Sequence, residues 1–261
     1  MDGPRIGDAF GELLQVTWAE QIGAGPRLML TRRVSQPPIE VVEWDNGVVT
    51  ASLARQWFAP EDDWFGCERR ALRHIKGPVL DVGAGAGRLC LALQARGIPV
   101  TGLDTSPGAV AVARQRGVRD VVCTTVDDHV AAGHRYRTFA FFGANLGLLQ
   151  SRERAPVLLA ALAAMATPDA RIVGHGMDPH PHANPVQRAH HQRNVASGRL
   201  PGQLRLRVRF LATATPWMDF LLCSVAELED LLAGTGWQLA EVDEADQPLY
   251  CAVLRRVGPG R

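Results

Sequence analysis

Several features that mark special classes of protein are missing from this 261-residue sequence. Its five cysteines are scattered and form no Cys-x-x-Cys pair, which argues against a zinc knuckle or a dithiol redox site. Lysine occurs once, at Lys76, yet arginine balances the acids and the formal net charge is +1. A charge this close to zero gives no overall reason to expect a nucleic acid or a membrane surface as the partner.

Long apolar segments are also scarce. The longest, residues 155–166, falls well short of the roughly 20 residues needed to cross a bilayer. The first residues lack a basic stretch followed by an apolar one, so we expect no secretory signal, no membrane anchor and a cytoplasmic location. With 46% hydrophobic residues, the chain can still bury a sizeable core.

The most informative stretch is a glycine-rich turn between an apolar strand and a helix, at residues 78–88 (Pro-Val-Leu-Asp-Val-Gly-Ala-Gly-Ala-Gly-Arg). Glycine tolerates positive φ and allows close approach of the backbone to a ligand, and a helix N-terminus presents free N–H groups to an anion. A dinucleotide fingerprint, Gly-x-Gly-x-x-Gly, would place its third glycine at position 88, which is Arg88. The spacing Gly-x-Gly-x-Gly fits instead, with Asp81 two residues before Gly83.

Strands and helices then alternate along the chain. Predicted strands cover 99–103, 120–124, 138–143 and 170–174, and helices cover 106–116 and 152–166. Such alternation favours a parallel sheet with right-handed crossovers. Before this region we predict a helix at 8–21, a hairpin of 39–44 and 48–50 around an Asn-Gly turn, and a helix at 62–75. After it come an alternating strand at 204–210, a helix at 224–232 and strands at 237–242 and 250–255.

The glycine turn, together with acids at three successive strand ends, resembles motif I and its surroundings in the class I S-adenosylmethionine-dependent methyltransferases. The resemblance implies an α/β, Rossmann-like fold with a seven-stranded, mostly parallel sheet. It places the methyltransferase domain at residues 77–256, with an insertion at about 176–222. Residues 1–76 then form an N-terminal extension of helices and a hairpin, which we expect to lie with the insertion as a lid on the acceptor side.

The same resemblance implies roles for residues at the carboxyl ends of the strands, where open α/β sheets bind ligands. Asp81 would help hold the methionine end of S-adenosylmethionine, Asp104 would accept from both ribose hydroxyls, and Asp127 or Asp128 would accept from the adenine amino group. The expected cofactor-binding residues are Asp81, Gly83, Ala84, Gly85, Asp104, Thr105, Asp127, Asp128, Gly143 and Asn145. The product would be S-adenosylhomocysteine.

Three other functions remain open at this level. An NAD(P)-dependent reductase also expects an acid near Asp104, but Arg88 in the fingerprint and an acid before the turn count against it. An RNA or DNA methyltransferase of the amino-modifying type would carry Asn/Asp-Pro-Pro-aromatic after the fourth strand, where residues 142–147 read Phe-Gly-Ala-Asn-Leu-Gly. A non-catalytic cofactor-binding protein is the third. We expect a small-molecule acceptor, such as a specialised metabolite, and no nucleic-acid partner.

The sequence gives fewer indications of which residues bind the methyl acceptor. His175 follows the fifth strand and is our candidate general base, since histidine titrates near neutral pH. His180 and His182 have neither cysteines nor closely spaced carboxylates nearby, so we predict no metal site. Residues 179–218 contain six arginines and no acid; these arginines form either a solvated strand face or a site for an anionic acceptor. Aromatic residues that would line the acceptor pocket are Trp18, Trp57, Phe58, Trp64 and Trp217.

Overall fold

Two β-sheets organise residues 3–23 and 37–257, the parts of the chain that the computed structural model describes. The strands are β1 (Arg5–Ile6), β2 (Ile39–Trp44), β3 (Val49–Leu53), β4 (Val79–Val82), β5 (Val100–Asp104), β6 (Val121–Cys123), β7 (Tyr136–Phe141), β8 (Ala166–Met177), β9 (Gln203–Phe210), β10 (Thr213–Ala214), β11 (Met218–Leu221), β12 (Trp237–Asp246) and β13 (Leu249–Arg256). The α-helices are α1 (Ala9–Gln21), α2 (Gly66–Ala71), α3 (Arg88–Ala95), α4 (Pro107–Gln115), α5 (Val126–His129), α6 (Arg154–Ala164), α7 (Pro185–Ala196) and α8 (Val225–Leu232).

The larger sheet has the strand order β12-β13-β8-β7-β4-β5-β6. The five strands from β8 to β6 run parallel, and β13 and β12 add to the edge in antiparallel fashion. The residues of β4 are all buried, as expected for a central strand covered by helices on both faces. This arrangement confirms the predicted α/β fold with a seven-stranded, mostly parallel sheet.

The second sheet joins two parts of the chain that are far apart in sequence. Its order is β1-β10-β9-β2-β3, with β11 also paired to β9. The predicted hairpin of β2 and β3 is present, and β2 pairs with β9 in antiparallel register, with Val42 opposite Val208. The sequence predicted both the hairpin and the strand at β9 but gave no indication that they pair. The N-terminal extension and the late insertion therefore build one sheet together.

One predicted helix is wrong in length. In place of a continuous helix over 62–75, the chain forms the six-residue α2 between 3₁₀ turns at 61–63 and 72–74. Phe65 is extended, with ψ of 142°, and its ring packs against His175 at 5.3 Å between centroids. The Asp246 carboxylate accepts the N–H of Cys67 and so fixes the start of α2 from outside the segment. Helical periodicity in the sequence gives no information about these tertiary contacts.

The N-terminal helix α1 is anchored on α4. Asp8 caps α1 by accepting the N–H of Gly11 at 2.9 Å, and it also accepts from the Ser106 hydroxyl at 2.7 Å. Gly11 and Gly108 face each other so closely that a Cβ on Gly11 would lie 2.7 Å from the Gly108 Cα. Two glycines thus allow the helix backbones to touch, and this contact places the start of α1 beside the glycine turn.

None of the helices within the described residues is long and apolar enough to span a membrane.

Candidate active site

A cavity of about 860 Å³ opens at the carboxyl ends of the parallel strands β4, β5 and β7; we call it the cofactor cleft. Its size lies within the range usual for small-molecule sites, which is about 300–1,000 Å³. The sequence-predicted residues that line it are Asp81, Gly83, Ala84, Gly85, Asp104, Thr105, Asp127, Gly143 and Asn145. Asp128 is the remaining residue of the predicted cofactor set, and it is not part of the lining.

Asp104 lies at the end of β5 and is held by backbone donors. Its Oδ2 accepts the N–H of Gly85 at 2.8 Å, and its Oδ1 accepts the N–H of Ser106 at 2.9 Å. Burial raises the pKa of Asp104 above its usual value, although these two N–H donors act in the opposite direction. The carboxylate is thereby fixed in orientation on the wall of the cleft, beside the glycine turn.

Asp81 lies at the end of β4 and is only 2% exposed. Burial raises the pKa of its carboxyl to about 7, and the partner that offsets this shift most is the thiol of Cys90, 3.3 Å from Oδ2. A positively charged ligand group beside this carboxyl would favour its ionised form and so lower its pKa. Within the described residues Asp81 forms no ion pair, and it lies where a ligand ammonium group would be expected.

Asp127 and Asp128 occupy different surroundings at the start of α5. Asp127 lines the cleft, and its carboxylate forms an ion pair with Arg154, which lines the cleft as well. Asp128 accepts a hydrogen bond from the Thr125 hydroxyl at 2.7 Å, within the first turn of the same helix. Of the two alternatives left open by the sequence, Asp127 has the position suited to a ligand contact.

The loop after β7 is tied directly to the glycine turn. Asn145 donates through Nδ2 to the carbonyls of Val82 at 2.9 Å and Gly83 at 3.1 Å. Gly83 has a φ of +74°, and a Cβ there would overlap the Asn145 amide. Only glycine therefore allows this amide to close over the turn.

Residues of the N-terminal segment also line the cleft, and sequence reasoning did not assign them to it. Gly7, Asp8 and Phe10 contribute to its wall, and Phe10 packs edge-on against Trp57 with ring centroids 5.8 Å apart. The docking of α1 on α4 therefore closes one side of the cleft. Asp8 followed by a helical pattern is a recognisable N-cap, but its contact with the Ser106 region depends on the tertiary fold.

The donors and acceptors of the cleft fit S-adenosylmethionine. The ligand carries an ammonium group, a ribose diol and an adenine amino group, and the cleft offers Asp81, Asp104 and Asp127 as acceptors along one path. Positive φ at Gly83 and Gly85, +74° and +54°, leaves bare backbone beside these acids. A Cβ on Gly85 would meet nothing closer than the Phe10 ring at 3.8 Å, so open space adjoins this turn.

A second cavity of about 830 Å³ adjoins the cofactor cleft, with which it shares Trp57, Arg88 and Gly143 in its lining; we call it the aromatic cavity. Its wall includes Trp57, Phe58, Trp64, Phe65 and His175. Three of the aromatic residues expected to surround an acceptor, Trp57, Phe58 and Trp64, thus lie together here. Trp217 lines the cofactor cleft instead, and Trp18 stacks on Phe58 with ring centroids 6.1 Å apart.

His175 lies at the wall of the aromatic cavity and is 1% exposed. Its Nδ1 is 2.9 Å from Oε1 of the fully buried Glu68, a residue that the sequence analysis did not single out. Oε1 also accepts from Arg88 at 2.8 Å and from the Gly143 N–H at 2.7 Å. Burial by itself would raise the pKa of Glu68, but the hydrogen bond from His175 and the charge of Arg88 outweigh it and lower that pKa to about 2.

Comparisons with known proteins agree on one family. Residues 79–169 match the model of a family described as a methyltransferase domain. Over 136 residues the chain is 37% identical to a ubiquinone biosynthesis O-methyltransferase of Azorhizobium caulinodans, covering 42% of this chain and 51% of that protein. Over 50 residues it is 40% identical to an ATP synthase lysine N-methyltransferase of Mus musculus, covering 19% of this chain and 20% of that protein. The chain therefore spans about half or less of the length of these relatives.

A solved structure extends the similarity to nearly the whole chain. A methyltransferase of Bacteroides fragilis, determined with S-adenosylhomocysteine, matches with a TM-score of 0.79 at 21% identity, covering 96% of this chain and 95% of that one. At this identity the match establishes the fold. Residues 79–169 thus contain a methyltransferase domain, and the fold around them is that of an S-adenosylmethionine-dependent methyltransferase. The resemblance drawn from the glycine turn and the strand-end acids is confirmed.

The arginines of β9 do not reach either cavity of the methyltransferase domain. The β9 residues that line the cofactor cleft are Leu206 and Val208, and side chains alternate between the faces of a strand. Arg207 and Arg209 pair with the two oxygens of Glu43 at 2.6 and 2.7 Å. Their charge is thus met by an acid on the neighbouring strand β2, which the sequence pattern does not show. They are neither simply solvated nor placed to bind an acceptor in these cavities.

Proposed function

We propose that this protein uses S-adenosylmethionine to methylate a small-molecule acceptor. The observation that carries the proposal is the set of three acids, Asp81, Asp104 and Asp127, that line one cleft with the glycine turn of a methyltransferase domain. The name of the Azorhizobium relative assigns it to ubiquinone biosynthesis, which is chemistry on a small molecule. The amino-modifying run of nucleic-acid methyltransferases is missing from residues 142–147.

In this proposal each acid of the cofactor cleft contacts a different group of the ligand. Asp81 faces the ammonium group, Asp104 accepts from the ribose hydroxyls and Asp127 from the adenine amino group. Thr105, Ala84, Gly83 and Gly85 provide backbone and small side chains that allow close approach. When bound, S-adenosylmethionine supplies a methyl group already activated on a sulfonium, so the protein has mainly to align a nucleophile and exclude water.

The covering elements suit the exclusion of water. The strands β2, β9 and β11 place Val42, Leu206, Val208 and Phe220 on the wall of the cleft, opposite the strand ends of the large sheet. Helix α1 closes another side through Phe10. We therefore propose that the described parts of residues 1–76 and the insertion at about 176–222 cover the site, while residues 77–256, apart from that insertion, provide most of the cofactor contacts.

We further propose that His175 accepts the proton of the acceptor. Nδ1 lies 2.9 Å from Oε1 of Glu68 and 3.1 Å from the Ala144 N–H, and the other ring nitrogen, Nε2, is buried and has no hydrogen-bond partner within residues 3–23 and 37–257. A buried nitrogen without a partner is costly unless a ligand group supplies the hydrogen bond. Glu68 acts in this scheme as a positioning residue, since its carboxylate orients the ring and stabilises the proton on it.

A labelling experiment tests this function. Purified protein is incubated with methyl-tritiated S-adenosylmethionine and pools of small amines, phenols and hydroxy acids, with bulk RNA as a parallel substrate. We expect transfer of label to a small-molecule pool above the blank without acceptor, and loss of that transfer in H175A at unchanged cofactor affinity. Label found in RNA alone would contradict the assignment of the acceptor class, and full turnover by H175A would remove His175 from the mechanism.

A further inference from the structure

Glu40 is a buried acid on the wall of the cofactor cleft that none of the roles above uses. It lies on β2, is 5% exposed and lines the cleft. Three donors converge on one of its oxygens, Oε2: the Ser52 hydroxyl, the Gln56 amide and the Trp57 indole N–H, each at 3.2 Å. Its other oxygen, Oε1, has no hydrogen-bond partner in the part of the chain that the structure describes.

Within the described residues, no cationic side chain balances the charge of Glu40. All three of its donors are neutral, and no arginine, lysine or histidine within residues 3–23 and 37–257 forms an ion pair with it. Glu43, three residues further along β2, shows the contrast, because it pairs with both Arg207 and Arg209. Burial raises the pKa of Glu40, and its three hydrogen bonds only partly offset that shift. A cationic group on a bound ligand would stabilise the ionised form of such a buried, unpaired carboxylate.

The surroundings of Glu40 also suit a cation. The aromatic residues that line the same cleft include Phe10, Trp57, Trp217 and Phe220. Aromatic faces attract ammonium groups, most strongly where water is excluded. A ligand ammonium group at Oε1 would therefore meet the Glu40 carboxylate, with the Trp57 ring next to it and further aromatic rings in the same cleft.

Trp57 connects Glu40 to the expected site of methyl transfer. Its Nε1 donates to Glu40. At the other edge of the indole, Cζ3 lies 3.2 Å from the point that a Cβ would occupy if Gly143 carried one. Gly143 follows β7, at the loop assigned to the methionine end of the cofactor. The Trp57 ring thus contacts both the Glu40 carboxylate and that loop.

We propose that Glu40 selects the acceptor by binding an ammonium group on it, and that the acceptor is therefore a small amine. This assignment rests on the proposed function and names its substrate class. It favours a cationic over an anionic acceptor, because Arg207 and Arg209 are paired with Glu43, whereas Glu40 in the cleft has no cationic partner within the described residues. Glu40 acts as a specificity-determining residue; the methylated atom can lie elsewhere on the same molecule.

A pair of probes of equal shape tests the assignment. 2-Phenylethylamine and 2-phenylethanol differ in charge and not in the ring that they present. Their dissociation constants are measured by ligand-observed NMR on protein with and without saturating S-adenosylhomocysteine. We expect the wild-type protein to bind the amine at least tenfold more tightly than the alcohol, and E40Q to lose this preference. E229Q is the matched control, because it removes one exposed acid from α8 and so has the same net charge as E40Q.

The outcomes separate the two proposals. No preference for the amine, no amine binding up to about 10 mM, or a preference that survives in E40Q would each overturn the assignment of Glu40. Failure to bind S-adenosylhomocysteine with the amine preference intact would contradict the proposed function and leave Glu40 in place. Should E40Q not fold, wild-type crystals soaked with the amine decide: we expect its nitrogen within hydrogen-bond distance of Oε1, and a nitrogen bound elsewhere would overturn the proposal.

Discussion

The carboxylate of Asp8 accepts the backbone N–H of Gly108 at 2.8 Å and so joins the first turn of α1 to the first turn of α4. The same carboxylate caps α1 and accepts from Ser106, which caps α4. One acid therefore holds both helix starts, and the residues on either side of it, Gly7 and Phe10 among them, line the cofactor cleft. The N-terminal segment is a structural part of the site, even though it lies outside the family match at residues 79–169.

The closeness of the two helices predicts the effect of a single methyl group. In G11A the added Cβ would lie 2.7 Å from the Gly108 Cα and would also overlap the Asp8 carboxylate, so α1 has to shift. We expect the free energy of unfolding, measured in urea, to fall by about 1–3 kcal/mol, as is usual for overpacking. G3A is the control, since a Cβ there meets nothing within 4 Å. Equal stability of the two variants would show that the helices do not meet at Gly11.

The two adjacent acids of α5 allow a comparison within one turn. D127A removes a carboxylate that lines the cleft, whereas D128A removes one that bonds to Thr125. A single hydrogen bond to a ligand is worth about 1 kcal/mol, so we expect D127A to weaken S-adenosylhomocysteine binding roughly three- to tenfold. D128A should leave that affinity unchanged. Calorimetric titration measures the affinity of both variants for S-adenosylhomocysteine. A larger loss of affinity in D128A than in D127A would assign the adenine contact to Asp128.

The raised pKa of Asp81 predicts a pH-dependent stability. Its carboxyl has a pKa of about 7 in the folded protein and about 4 when unfolded, so the folded state binds the extra proton between these values. The stability contributed by this group is complete below about pH 4 and is lost as the pH rises to 7. Each pKa unit corresponds to about 1.4 kcal/mol, so the stability lost between these two pH values is of the order of 4 kcal/mol. In D81N, the unfolding free energy should fall less over pH 4–7 than in the wild type; parallel curves would contradict the shift.

The buried acid behind His175 gives a prediction of opposite sign. Glu68 has a folded pKa of about 2, so its contribution to stability is present above about pH 4.5 and is lost as the pH falls to 2. E68Q leaves Arg88, which is 12% exposed, without its charge partner. Removing one member of a buried ion pair costs about 3–5 kcal/mol, and we expect that loss at pH 7. Thermal and urea unfolding measure it, with E229Q as the exposed control. An unaltered E68Q would mean that the network does not carry stability.

The sequence was most informative where the chemistry is local. The glycine turn and the acids at the ends of β4 and β5 come from short runs of adjacent residues, because a strand end and its turn are set by nearest neighbours. The predicted helices at 106–116 and 224–232 begin at such local signals: Ser106 caps α4 just before Pro107, and Ser224 forms a capping box with Glu227 at the start of α8. These rules need no knowledge of the remaining fold.

What the sequence did not reveal depends on contacts between distant residues. Glu68 reaches His175 across 107 positions, and Glu43 reaches Arg207 across 164, so neither partner stands near the other in any pattern. The alternation at 204–210 correctly predicted a strand, but the partner of its arginines follows from the pairing of β2 with β9. A glutamate within the apolar run of β2 was visible at Glu40, yet its role emerges only from the wall that it shares with Trp57.

The cofactor cleft is tested most directly by calorimetric titration of the wild-type protein and D104N with S-adenosylhomocysteine, with NADH as the alternative ligand. We expect one micromolar site for S-adenosylhomocysteine in the wild type, binding at least tenfold weaker in D104N, and no binding of NADH. Tenfold corresponds to about 1.4 kcal/mol, less than a charged hydrogen bond typically contributes. Micromolar binding of NADH with none of S-adenosylhomocysteine would contradict the account.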